Sequence, residues 1–245
     1  MAGGATSFGG QTGRCRRHRA AVDEKGTTVI SASKSASWSY TEDFLDEPEE
    51  IDLSRARAQE LGCRAVSPGT GALLRMLSRT VGVKTAVEVG TGAGVSGLYL
   101  LAGLPASAVL TTIDIEAEHL AAARAAFAEA DHRPNHVRVI HGDARDVLPR
   151  LAEATYDLVV LDLDRPETAL ELADAATALL RPHGLLVVLD ALHFDRVPDP
   201  ARRDPGTVAA RDLLHLLSDS GRFDISLVPT GDGVLLAAPL PSRRD

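Results

Sequence analysis

Ala86-Val87-Glu88-Val89-Gly90-Thr91-Gly92-Ala93-Gly94, followed by Leu110-Thr111-Thr112-Ile113-Asp114, is the stretch on which the fold turns. Ala86, Val87 and Val89 suit a buried strand, and the glycines let the backbone turn tightly and approach a ligand where a side chain would collide. Asp114 closes what reads as the neighbouring parallel strand. A carboxylate there can accept hydrogen bonds from both hydroxyls of a ribose, as nucleotide sites on such sheets require. The two segments together predict an α/β protein that holds an adenosyl cofactor.

Outward from this stretch, strand and helix alternate. Strands are expected over residues 85–89, 108–113, 136–140, 158–161 and 184–190. An Ala-rich helix over 116–130 opens with acids that complement its dipole, and another over 167–180 is stopped by Arg181-Pro182-His183-Gly184. Repeated βα units build a mainly parallel sheet covered on both faces. The end departs from that rule. After a helix over 207–218, residues 223–228 and 234–238 are joined by Pro229-Thr230-Gly231-Asp232-Gly233, which predicts an antiparallel hairpin. Upstream, residues 40–61 are acidic and helical, with Phe44, Leu45, Ile51 and Leu53 to pack. A second amphipathic helix over 69–78 starts behind Ser67-Pro68, a cap with a first-turn proline after it.

The chain has 245 residues, of which 44% are hydrophobic, enough for one α/β domain with a tail. Its formal net charge of -8 opposes a nucleic-acid backbone and favours a small-molecule substrate. Cys15 and Cys63 make neither a disulfide framework nor a metal cluster, which points to reduced thiols and a cytoplasmic protein. Residues 1–39 are rich in Gly, Ser, Thr and Ala and are expected to form a disordered extension, with residues 40–245 as the domain. The basic cluster Arg14, Arg16, Arg17 and Arg19 reads as solvated tail charge. The adjoining residues Ala20-Ala21-Val22-Asp23-Glu24-Lys25 lack the apolar core of an export signal, and no later segment is a membrane span.

Val66-Ser67-Pro68, residues 88–96, Thr112-Ile113-Asp114-Ile115 and residues 156–164 together resemble the class I S-adenosylmethionine-dependent methyltransferases. Within them the chain is similar to the O-methyltransferases that include the catechol and caffeoyl-coenzyme A enzymes, and most to their actinobacterial members. The phrase over residues 179–188 resembles the helix-to-strand crossing of the same class. The likeness implies a Rossmann-like fold of seven strands, mainly parallel, with a reversed C-terminal strand. It implies that Val66, Glu88, Gly90, Thr91 and Ser96, with Gly92 in the same loop, line the methionine side of S-adenosylmethionine. Asp114 would hold the ribose, Ile115 would pack beside the adenine, and Asp143-Ala144 would flank its amine. Asp162 and Asp164 would stand at the mouth of the fourth strand, Asp164 among the cofactor's contacts. A small hydroxylated methyl acceptor and a homodimer are implied as well.

Glu88 stands out in an otherwise apolar strand, because an unpaired buried carboxylate costs several kcal/mol. A ligand ammonium would offset it. Asp143 can equally cap the next helix, and Asp157 reads as a polar strand entry. Residues 92–97 also spell G-x-G-x-x-G, so an NAD(P)-dependent oxidoreductase stays open as an alternative.

Methyl transfer from a sulfonium is a direct displacement, so the acceptor oxygen must be aligned and, for a phenol, deprotonated. Asp162 is the candidate catalytic group. Metal-dependent relatives hold a divalent ion such as Mg²⁺ with an Asp after the fourth strand and an Asp-Asn pair after the fifth. Asp162 and Asp190 match two of these positions, while Ala191 fills the third with a methyl group that cannot coordinate. Arg165 replaces a lysine frequent in relatives and cannot act as a base. With Ala191, it leaves open a homologue that binds cofactor but has lost turnover. His193, Asp195 and Arg196 lie on the loop where substrate gating is expected. Trp38, Tyr40 and Phe194 are the aromatics available to cover a flat acceptor, whereas Tyr99, Phe127 and Tyr156 suit packing.

Overall fold

Strand β1 (Thr85–Val89) lies inside a seven-stranded sheet of order β3-β2-β1-β4-β5-β7-β6 in the computed structural model. The structure describes residues 30–241, with side-chain burial from residue 35. The other strands are β2 (Val109–Asp114), β3 (Val137–His141), β4 (Tyr156–Leu161), β5 (Leu180–Val188), β6 (Phe223–Val228) and β7 (Val234–Pro239). β1 to β5 run parallel, and β7 enters antiparallel between β5 and β6. The reversed final strand expected from the sequence is therefore present.

The helices are α1 (Ile30–Glu42), α2 (Glu49–Leu61), α3 (Pro68–Thr80), α4 (Val95–Gly103), α5 (Ala117–Glu129), α6 (Ala144–Val147), α7 (Pro166–Ala178) and α8 (Pro205–Asp219). Alternation along β1 sorts them into two layers. Val87 and Val89 pack with Leu172 of α7 and Leu213 and Leu217 of α8. Ala86 faces the other way, with Ile51 of α2, Leu74 of α3, Leu98 of α4 and Phe127 of α5. Because side chains alternate along a strand, Glu88 falls on the α2–α5 side. Ser67 caps α3 as its sequence suggests, its side chain accepting the Thr70 N–H.

The residues from Tyr40 onward form one compact unit, set apart from those before it. Most of the extension expected over residues 1–39 lies outside the described residues, Cys15 and the arginine cluster included. Residues 30–39 are helical, as the first part of α1, where the sequence suggests irregular chain. Among the described residues no helix is long and apolar enough to cross a membrane.

β5 corrects the expected boundaries at both ends. Arg181-Pro182-His183-Gly184 does not separate helix from strand but already belongs to β5, and the irregularity is absorbed in the ladder. Tyr156 pairs with Leu180, whereas Leu158 pairs with Leu185. Arg181 is drawn in by Asp157, an ion pair of 2.6 Å, and the same carboxylate accepts the Lys84 and Thr85 N–H groups. At the far end β5 stops at Val188, and Asp190 turns out of the ladder with φ 53°.

Candidate functional site

β1 sends its chain to β2 on one side while β4 lies on its other, and ligands on open α/β sheets bind at such a switch point, beyond the strands' carboxyl ends. A cavity of about 400 Å³ opens there. Its wall includes Val66, Gly90, Thr91, Gly92, Ser96, Asp114, Ile115, Asp143, Ala144, Asp162 and Asp164. Scattered along the sequence, all of these but Asp162, the candidate catalytic group, are residues that the resemblance assigns to one cofactor.

The backbone around Gly90 explains its residue type. Gly90 donates to the Ile113 carbonyl at 2.9 Å, and Asp162 donates to the Val89 carbonyl at 2.8 Å, so three strand ends converge. Gly90 has φ +96°, and a Cβ placed on it would sit 1.6 Å from the Asp162 carbonyl oxygen. Only a residue without a side chain fits.

Asp114 braces the loop. One carboxylate oxygen accepts the Gly92 N–H and the other the Glu116 N–H, both at 2.9 Å, with His119 Nδ1 3.5 Å from the second oxygen. An ionised carboxylate offers about four acceptor sites, so two remain for further donors. Beside it, Ile115 is 57% exposed on the cavity wall, an apolar surface open to a planar ring. Asp143 caps α6 by accepting the Arg145 N–H, and it also lines the wall, so the capping reading and the position beside the cavity both hold.

Glu88 departs from its expected place. It is fully buried and stands behind the wall rather than on it. Thr91 on the wall shares a 2.7 Å hydrogen bond with Thr112, whose hydroxyl donates to Glu88 Oε2 at 2.6 Å. Glu88 Oε1 has no hydrogen-bond partner. Burial pushes the Glu88 carboxyl up to about 7, against the Thr112 and Ser96 hydroxyls, with the Asp114 charge adding to the rise. Hydroxyls thus connect this carboxyl to the cavity surface.

Asp162 is part-buried on the same wall. Burial drives its carboxyl well above the usual carboxylate range, the charges of Asp190, Glu88 and Asp164 add to the rise, and Arg64 opposes it. Asp190 is not on this cavity's wall. Its carboxylate faces Arg64, with Nη2 3.0 Å from Oδ2, while Ala191 is buried beside a small apolar pocket. Among the described residues no three His, Cys, Asp or Glu side chains are arranged to hold a metal ion. The Asp162, Asp190 and Ala191 set therefore does not fit a divalent-ion site.

The segment after β5 is held in unusual backbone geometry. Asp190, His193, Phe194 and Asp195 all have left-handed φ values, between 45° and 57°. The Asp232 carboxylate accepts the Phe194 and Asp195 N–H groups and pins the segment to the β6–β7 turn. Phe194 is 52% exposed, His193 points to Asp204 at 3.6 Å, and Arg196 lies over the Phe194 ring.

Several wall residues carry no signal in the sequence: Cys63, Arg64, His119, Arg145 and Thr168. Burial raises the Cys63 thiol, which leaves it a poor nucleophile. Val66 is fixed from behind. Arg55 donates to its carbonyl at 2.7 Å and is itself held by Glu47, which also accepts the Tyr99 hydroxyl at 2.6 Å.

Sheet order, reversed β7 and a cavity at the β1–β4 switch point define the class I methyltransferase fold. The family model described as O-methyltransferase matches residues 37–240. A Mycobacterium tuberculosis protein described as a probable O-methyltransferase, Rv1220c, is 46% identical over 218 residues, covering 88% of this chain and 95% of its own. A Corynebacterium glutamicum crystal structure superposes with a TM-score of 0.79 at 33% identity, covering 86% of this chain and all of that one. The O-methyltransferase TomG of Streptomyces achromogenes, involved in tomaymycin synthesis and solved with S-adenosylmethionine, gives 0.74 at 27%, covering 83% and 96%. This chain belongs to the O-methyltransferase family. Membership sets aside the oxidoreductase reading of residues 92–97.

Proposed function

We propose that the protein transfers a methyl group from S-adenosylmethionine to a hydroxyl of a small acceptor, aromatic hydroxyls included, and that Asp162 orients and deprotonates that hydroxyl. The observation that carries the reading is the wall of the switch-point cavity. It joins a carboxylate with acceptor sites to spare, Asp114, an exposed apolar residue, Ile115, and a second, part-buried carboxylate, Asp162, across the Gly90 turn. Ile115 and Ala144 would hold the cofactor's adenine, Asp114 its ribose, and Val66, Thr91 and Ser96 its methionine end. Glu88 balances the ammonium through the Thr91–Thr112 hydroxyls rather than by direct contact.

Held there, the cofactor would supply an electrophilic methyl group on the side of the cavity that Asp162 lines. Asp162 would take the acceptor's proton as the oxygen forms its bond to the methyl carbon, the S–CH3 bond breaking with its electron pair left on sulfur. A carboxyl raised above its usual range is better matched to a hydroxyl proton than an ordinary aspartate, since proton transfer improves as the two pKa values approach. Much of the rate comes from alignment, because a bimolecular displacement becomes an intramolecular one.

A panel of catechols, phenols and hydroxybenzoates with methyl-labelled S-adenosylmethionine tests the reading. Label transfer to an acceptor oxygen is expected, reduced about a hundredfold in kcat by Asp162→Asn with S-adenosylhomocysteine affinity retained. Transfer at the full rate by that variant removes Asp162 from the chemistry.

A further inference from the structure

The acidic end of the cavity contains its own cation. Arg64 lies on the cavity wall, in the segment between α2 and α3. Its Nη2 is 3.0 Å from Asp190 and 3.9 Å from Asp232, and its guanidinium carbon stands 4.5 Å from the centre of the Phe194 ring. Two carboxylates and a ring face thus fix the group from behind. Asp190 and Phe194 belong to the strained segment after β5 and Asp232 is the residue that pins it, so that segment's geometry serves to place Arg64. Among the described residues, no hydrogen bond is formed by its remaining N–H groups.

We propose that Arg64 takes the charge position that a divalent ion occupies in metal-dependent enzymes, and that it holds the acceptor's oxyanion beside Asp162. This deepens the methyltransferase reading and rests on it. Three observations converge. Ala191 offers no oxygen ligand, Asp190 is paired with a guanidinium, and the arginine that carries it lines the same wall as Asp162. A guanidinium keeps its charge at any working pH and presents five donors in a planar fork, so it can bridge Asp190 and an acceptor oxygen together. Its field favours the deprotonated acceptor. When the O–CH3 bond forms, the oxygen's negative charge is neutralised, the S–CH3 electrons stay on sulfur, and the proton remains on Asp162. Arg64 itself neither gains nor loses a proton. The matching acceptor class is a phenolate, or a hydroxyl next to a second oxygen that can fill the fork.

Mn²⁺ uptake, monitored by the loss of the free-ion electron paramagnetic resonance signal in the presence of S-adenosylhomocysteine, tests the substitution without any acceptor. The wild type is expected to leave Mn²⁺ free. Arg64→Ala removes the charge without bringing three ligands together, so it is expected to leave the ion free as well. Arg64→Lys, which keeps the charge, is expected to leave it free too and, for an accepted phenol, to hold KM closer to the wild-type value than Arg64→Ala does. Saturable uptake by the wild type overturns the proposal, and so does an alanine variant whose KM and kcat for an accepted phenol equal those of the wild type. Calorimetry with S-adenosylhomocysteine on all three proteins reports folding and separates the two claims. No binding by the wild type removes the methyltransferase reading and the proposal with it, whereas binding together with wild-type Mn²⁺ uptake removes only the role of Arg64. For an accepted phenol, Arg64→Ala should raise KM about tenfold to a hundredfold, the loss expected for one charge-assisted hydrogen bond.

Discussion

Glu88 accepts the Thr112 hydroxyl at 2.6 Å and leaves its other oxygen unpartnered in the interior, two residues before the turn at Gly90. That relationship couples the cavity to the protonation of a buried group. With its carboxyl at about 7 in the folded protein against 4.5 when exposed, the folded state binds more protons between those values. Stability of the free protein therefore falls as pH rises from about 4.5 through 7, by about 3 kcal/mol for this group alone. Thermal unfolding at a series of pH values should show a shallower fall in Glu88→Gln than in the wild type. Equal slopes would mean that Glu88 does not titrate there.

Cofactor binding should carry the opposite dependence. An ammonium near the ionised Glu88 is stabilised, so S-adenosylhomocysteine should bind more tightly at pH 8 than at pH 6, with proton release on binding. Calorimetry in buffers of different ionisation enthalpy measures that release. Glu88→Gln should abolish it.

Gly90→Ala is expected to lose both cofactor binding and stability. The new Cβ meets the Asp162 carbonyl, which belongs to backbone and cannot rotate away, and φ +96° is disfavoured for alanine. A loss of several kcal/mol in denaturant unfolding is the expected outcome. Unchanged unfolding would show that the β1–β4 approach is looser than the structure has it.

Asp114→Asn should preserve the fold and weaken cofactor binding about tenfold or more. The amide keeps one acceptor oxygen, but its NH2 faces an N–H that the carboxylate accepted, at Gly92 or Glu116. Circular dichroism together with calorimetry separates a loosened loop from an unfolded protein.

Much of this site is legible because its parts are short, local patterns. The Gly90–Gly92 turn and Asp114 announce themselves at the ends of apolar strands, Ile115 and Asp143 come from the likeness to the methyltransferases, and β1 and β6 coincide with their expected bounds. Burial of Glu88 among apolar neighbours can also be read, but not that the Thr91–Thr112 hydroxyls separate it from the cavity. The start of β5 is hidden because proline and glycine signal a break, whereas here Arg181 pairing with Asp157 carries the chain on as irregular strand. Arg64 has no signal at all. A single arginine after Gly62 and Cys63 belongs to no periodic pattern, and its partners Asp190, Asp232 and Phe194 meet it only once the sheet has assembled. Asp190 reads as a metal ligand for the same reason, since its left-handed φ, and hence its direction, depend on the pinned segment.

The most direct check of the central claim, that the switch-point cavity is an adenosyl-sulfonium site, is calorimetric titration of the wild type with S-adenosylhomocysteine, NAD and NADP. Saturable binding of S-adenosylhomocysteine at one site per chain is expected, weakened in Asp114→Asn, with no heat from either nicotinamide. Absence of S-adenosylhomocysteine binding, or equal binding by Asp114→Asn, would contradict it.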